Sequence, residues 1–157
     1  MDWKKITSKG LRRGHYKADA LILYCSDDRG REALSEFILK NKFRHYDLVI
    51  IPGGAKALSG QNGNEKAVIL EYISKLMELH LAKEAIIFTH VDCGACGGSV
   101  AFGNDPEKER ESHRQWLEGA KNCLREILPD IPIKGYFVDF EGIWQVDEFA
   151  GFQPTVP

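Results

Sequence analysis

The sequence predicts an α/β fold, a Rossmann-like, mostly parallel central sheet flanked by helices, with an antiparallel edge strand. Three observations predict it. Apolar runs at Ala20–Tyr24 and Ala85–Phe88, and the mostly apolar Asp47–Ile51, have strand length and no helical period. Between them lie segments whose apolar residues recur at helical spacing, the alternation of strand and helix that builds parallel sheets. A last pair of strands, Ile133–Phe140 and Ile143–Val146, is joined by a turn at Glu141-Gly142.

In order, residues 1–19 are polar and basic, with Lys4, Lys5, Lys9, Arg12, Arg13 and Lys17, and are expected to form an N-terminal arm. Trp3 and Tyr16 are its candidate anchors on a partner subunit. Residues 20–157 are expected to form one α/β domain. After the first strand, Cys25-Ser26-Asp27-Asp28-Arg29 turns into a helix over about 30–42, where Ala33, Leu34, Phe37 and Ile38 share a face. The second strand stops at Pro52-Gly53-Gly54, and residues 55–64 read as a loop with Gly60, Asn62, Gly63 and Asn64 as breakers. A helix over about 65–82 carries Val68, Ile69, Tyr72, Ile73, Leu76, Met77 and Leu79, more than one stripe, which predicts burial around much of its girth. Asp105-Pro106 is a helix start, with Asp as N-cap and Pro in the first turn. That helix runs to about Leu128, where Pro129 and Pro132 stop it, and Glu107–Glu111 reads as its solvated face.

Composition excludes several classes. A chain of 157 residues suits one domain, and 43% hydrophobic with 28% charged residues is ordinary globular composition. A formal net charge of −2 gives no basis for nucleic acid or an anionic membrane as partner. No apolar run approaches the roughly 20 residues of a membrane span. Met1–Lys5 leads into no apolar segment, so no secretory leader is expected and the location is expected to be cytoplasmic. Four Cys in that setting point to metal or catalytic thiols rather than disulfides.

Chemistry concentrates in Thr89-His90-Val91-Asp92-Cys93-Gly94-Ala95-Cys96-Gly97-Gly98, directly after a strand. Imidazole and thiolate together suit Zn²⁺, which takes four N, S or O ligands. The best further ligand is Cys25, at the end of the first strand. If the two strands are adjacent and parallel, Cys25, His90 and Cys93 converge at the carboxyl edge of the sheet, where open α/β sheets place their sites. Cys96 makes Cys-x-x-Cys with Cys93, so His90, Cys93 and Cys96 form a rival set. Cys123 falls inside the last long helix and reads as core. His15, His45, His80 and His113 lack partner motifs and read as surface or structural. Asp28 and Asp92 read as turn residues bonding nearby amides.

Cys25-x-Asp27-x-Arg29 after one strand, with His90-x-x-Cys93 after a later one, resembles the β-class carbonic anhydrases in their minimal microbial form. The flanks agree over about residues 19–147: a Gly-Gly pair after the middle strand, Glu71-Tyr72 in the helix before the His strand, and Gly135-Tyr136-Phe137-Val138-Asp139 late in the chain. The resemblance implies a zinc held by Cys25, His90 and Cys93, with water or Asp27 in the fourth position. Asp27 as ligand would close the site. It implies Asp27 and Arg29 as a catalytic dyad and reversible hydration of CO₂ to bicarbonate by a zinc-bound hydroxide. It also implies a homodimer or higher homo-oligomer. The sequence departs from the family where Ile51-Pro52-Gly53-Gly54 replaces the usual Arg-Asn-Ala-Gly, where Thr89 precedes the His, and where Cys96 adds a thiol. Two other readings use the same residues: a zinc hydrolase for CS₂ or COS, and a non-catalytic protein stapled by zinc.

Overall fold

The computed structural model describes residues 4–11, 14–60 and 63–146. Five strands form one sheet in the order β2-β1-β3-β4-β5: β1 Ala20–Cys25, β2 Tyr46–Ile51, β3 Ala85–His90, β4 Ile133–Val138 and β5 Ile143–Val146. All neighbours are parallel except β4 and β5, which form the antiparallel edge. The Asp139 carboxylate accepts from the amides of Glu141 and Gly142, and this tight turn sends β5 back along β4.

The helices are α1 (Arg31–Lys40), α2 (Lys56–Ser59), α3 (Gly63–His80) and α4 (Pro106–Ile127). The central strands β1 and β3 are apolar up to their carboxyl ends because both their faces are covered. Leu21, Leu23, Ala85 and Ile87 pack against Leu58 of α2, Ile69 and Ile73 of α3, and Leu117 and Leu124 of α4. On the other face Ile22, Tyr24, Ile86 and Phe88 pack against Leu34 and Phe37 of α1, with Tyr136 from β4. Asp105 caps α4 as its residue type predicts, accepting from the amides of Glu107 and Lys108, a contact worth about 1 kcal/mol. No helix among the described residues is long and apolar enough to cross a membrane.

Three expectations need correction. The segment read as a loop contains the short helix α2, because Leu58 finds a fully buried place under α4. The girth of α3 is not buried: Ile69 and Ile73 face the sheet, while Val68, Tyr72 and Leu79 lie exposed. The run Glu107–Glu111 is not uniformly solvated, since Glu109 is 3% exposed. Of the two proposed anchors, Trp3 lies outside the described residues. Tyr16 packs on its own chain, stacked on the rings of His45 and His80 and donating to Asp47 Oδ1 at 2.6 Å.

Candidate metal centre

The chain leaves β1 to form α1 and β2 on one side, then returns to place β3 on the other side of β1. The carboxyl ends of β1 and β3 therefore flank a topological switch point, with Cys25 ending one strand and His90 the other. Past β3, a turn through Asp92 in the left-handed region (φ 51°) brings Cys93 back toward β1. The result is a Cys25–His90–Cys93 cluster whose donor atoms all lie within 4.8 Å of one another. The two sulfurs are 3.9 Å apart.

His90 is oriented for ligation. Its Nδ1 lies 2.8 Å from the Val91 carbonyl, which accepts the ring N–H and makes Nε2 the nitrogen available to a metal once the imidazole is neutral. Among the described residues that buried Nε2 has no hydrogen-bond partner, a costly state that a metal would relieve. Contact with the Cys93 thiol, then burial, push the Cys25 thiol up to about 11, against the pull of His90 and of the Asp27 and Gly53 amides. Burial draws His90 down, but the Cys25 and Cys93 sulfurs and the Val91 carbonyl outweigh it and carry the ring to about 10. These protons are the ones a cation entering the cluster displaces.

The Pro52-Gly53-Gly54 segment, a departure from the family pattern, serves the cluster through its backbone. The Gly53 amide donates to Cys25 Sγ at 3.3 Å. Gly54 holds a left-handed conformation (φ 55°) under β3, where any Cβ would collide with the Phe88 carbonyl oxygen. Only glycine allows that approach.

Beside the cluster, Arg29 Nε reaches both Asp27 oxygens at 3.1 Å and Nη2 reaches Oδ2 at 2.7 Å. The Asp27 carboxylate also accepts from the Arg29 amide, capping the short turn that leads into α1. The guanidinium holds the Asp27 carboxyl down at about 2 against the opposing effect of burial. Asp27 Oδ2 lies 3.9 Å from His90 Nε2, so the carboxylate borders the cluster while its hydrogen bonds turn it to Arg29.

The sequence-predicted residues Cys25, Asp27, Arg29, His90 and Cys93 thus meet in one place. Cys96 is buried in the turn Gly94–Cys96 and stands outside the three-donor cluster, which disfavours the rival set. Contact with Cys93 and the charge of Lys56 lower the Cys96 thiol against its burial. Cys123 is core, as expected. Asp92 does bond a nearby amide, accepting from Ser99 N at 3.1 Å, and it also takes Arg29 Nη1 at 3.0 Å. Sequence reasoning missed Glu109, whose carboxylate accepts from Asp92 N at 2.7 Å and from Ser99 Oγ at 2.7 Å. Its spacing from His113 and Leu117, all buried on one face of α4, was the available signal.

A sequence model of the family described as "putative carbonic anhydrase" matches residues 16–149. The chain belongs to that family. Solved structures agree on the carbonic anhydrase fold. The β-carbonic anhydrase isoform I of Trichomonas vaginalis is 16% identical with a TM-score of 0.55, covering 92% of this chain and 87% of that one. A carbonic anhydrase from Glaciozyma antarctica is 17% identical with a TM-score of 0.57 over 90% and 89% of the two chains. A carbon disulfide hydrolase in its apo form has the same fold, at 15% identity and a TM-score of 0.55 over 90% and 88%. Among curated proteins, an uncharacterized protein of Rickettsia bellii is 26% identical over 151 residues, 89% of this chain and 90% of its own.

Proposed function

We propose that this member of the carbonic anhydrase family is a zinc enzyme that reversibly hydrates CO₂ to bicarbonate, with Cys25, His90 and Cys93 as metal ligands. The observation that carries the reading is the orphaned, buried His90 Nε2 facing two sulfurs, beside a carboxylate locked to an arginine. Two thiolates and a neutral imidazole are a zinc donor set, and the two thiolates balance the cation's charge. Bound there, zinc supplies an acidified water, with its pKa lowered toward about 7, and so a nucleophile at neutral pH.

The chain's own residues do the rest. The Gly53 amide holds Cys25 Sγ, and the Val91 carbonyl fixes the His90 ring. Asp27, kept ionised by Arg29, offers a carboxylate oxygen to accept a hydrogen bond from the attacking water, which turns a lone pair toward CO₂. Arg29 also keeps Asp27 from closing the fourth coordination position, and an open position is what separates catalytic from structural zinc.

The reading includes a homodimer and a cytoplasmic location. The dimer is supported by exposed Leu48 and Ile50 on the edge strand β2 and by Val68 and Tyr72 on α3. Elemental analysis of purified variants tests the ligand set. Wild type and Cys96→Ser should carry about one zinc per chain, and Cys25→Ser and Cys93→Ser should carry almost none. Metal lost from Cys96→Ser but retained in Cys25→Ser would reverse the assignment. Carbon disulfide and carbonyl sulfide, offered to the zinc-loaded protein in parallel with CO₂, test the second substrate reading.

A further inference from the structure

We propose that Glu109 is a positioning residue of the metal centre, a staple from α4 that sets the Cys93 ligand and the Arg29–Asp27 pair together; this role rests on the zinc reading of the site.

Glu109 sits on α4, outside both ligand motifs, yet its carboxylate is buried at the root of the loop carrying Cys93. Oε1 accepts from the amide of Asp92, and Oε2 accepts from the hydroxyl of Ser99, both at 2.7 Å. One carboxylate therefore ties down both ends of residues 92–99. Within that span the amides of Cys96 and Gly98 both bond the Cys93 carbonyl, at 2.8 and 2.9 Å, which braces the loop internally. The Asp92 amide belongs to a left-handed residue, and Glu109 satisfies it. His113 Nε2 lies 3.8 Å from Oε1, too far for a hydrogen bond. A buried carboxylate held chiefly by two such bonds is sensitive to the loss of either one.

The staple also reaches the dyad. Asp92, whose amide Glu109 fixes, takes Arg29 Nη1 on its carboxylate at 3.0 Å and Arg29 Nη2 on its carbonyl at 2.8 Å. Arg29 in turn holds Asp27. A displacement of Asp92 would thus be felt twice, at the neighbouring Cys93 sulfur and at the guanidinium that keeps Asp27 off the metal.

Glu109→Ala removes both acceptors. Glu109→Gln keeps an acceptor for the Asp92 amide and offers an amide donor to the Ser99 oxygen. Ser99→Ala cuts one arm only, and provides the test should the Ala variant fail to fold. Each is compared with wild type by zinc release to a chelator, by the visible spectrum of the Co²⁺-substituted protein, and by amide hydrogen exchange of residues 92–99 in the metal-free protein. Zinc release should be about 10-fold or more faster in Glu109→Ala, with an altered cobalt spectrum, about threefold faster in Ser99→Ala, and near wild type in Glu109→Gln. Exchange at residues 92–99 should rise in the Ala variants while strands β1 and β3 stay protected. Wild-type zinc release and cobalt spectra in both Ala variants would overturn the proposal and leave the zinc reading standing. Wild type that takes up no zinc would overturn that reading, and the role of Glu109 with it.

Discussion

Arg29 grips Asp27 with Nε at 3.1 Å from each carboxylate oxygen and Nη2 at 2.7 Å from Oδ2, a side-on fork between residues two apart in the chain. The same guanidinium is anchored on Asp92, so its position is set by the loop that carries Cys93. Among the described residues Asp27 has no comparable hold from elsewhere, and it lies 3.9 Å from His90 Nε2.

Arg29→Ala should therefore free Asp27 to become the fourth ligand. Zinc content should stay at one per chain while CO₂ hydration falls by about 100-fold or more, as when a preorganised charge partner is lost. Elemental analysis and stopped-flow hydration on one preparation check both halves. Full activity in the variant would show that the pair does not gate the metal.

The same pair predicts an acid-side stability loss. Arg29 holds the Asp27 carboxyl at about 2, below the ordinary value of about 3.9. A depressed folded-state value means that ionised Asp27 stabilises the fold above about pH 4 and that this contribution disappears as pH falls through about 2. Denaturant midpoints should fall further between pH 4 and 2 in wild type than in Asp27→Asn. Parallel curves would remove Asp27 from the acid transition.

Gly54→Ala should be destabilised by about 1–3 kcal/mol, because the left-handed conformation is costly for alanine and the new Cβ meets the Phe88 carbonyl. Urea midpoints measure it. Relief of the clash would move the neighbouring Gly53 amide away from Cys25 Sγ, so faster zinc release should accompany the lower midpoint.

Assembly is read from β2, a sheet edge that leaves Leu48 and Ile50 exposed. Light scattering at micromolar concentration should give twice the 17.7 kDa chain mass. Ile50→Lys should shift the protein to monomer, since a lysine on an edge strand blocks strand-edge pairing. A wild-type monomer would show that these apolar residues remain solvent-exposed.

Much of this was legible in the sequence because strand ends carried it. Cys25 and His90 each end a strand, so placing the strands placed both candidate ligands, with Asp27 and Arg29 two and four residues beyond Cys25 and Cys93 three beyond His90. The antiparallel edge could be read from the short turn at Glu141-Gly142. What stayed hidden depended on tertiary packing. Glu109 looked solvated because charged neighbours surround it, whereas its partners, Asp92 and Ser99, come from a distant loop. The donation from Gly53 to Cys25 is a backbone contact that no side-chain motif announces. The exposed apolar side of α3 reads in sequence like a second buried face, because periodicity records hydrophobicity and not what covers it.

The most direct measurement is stopped-flow CO₂ hydration by the purified chain loaded with one zinc, run beside Cys93→Ser. The zinc-hydroxide mechanism predicts hydration well above the buffer rate in wild type and buffer-level hydration in Cys93→Ser. Wild type that holds one zinc through Cys25, His90 and Cys93 yet hydrates CO₂ no faster than buffer would contradict it.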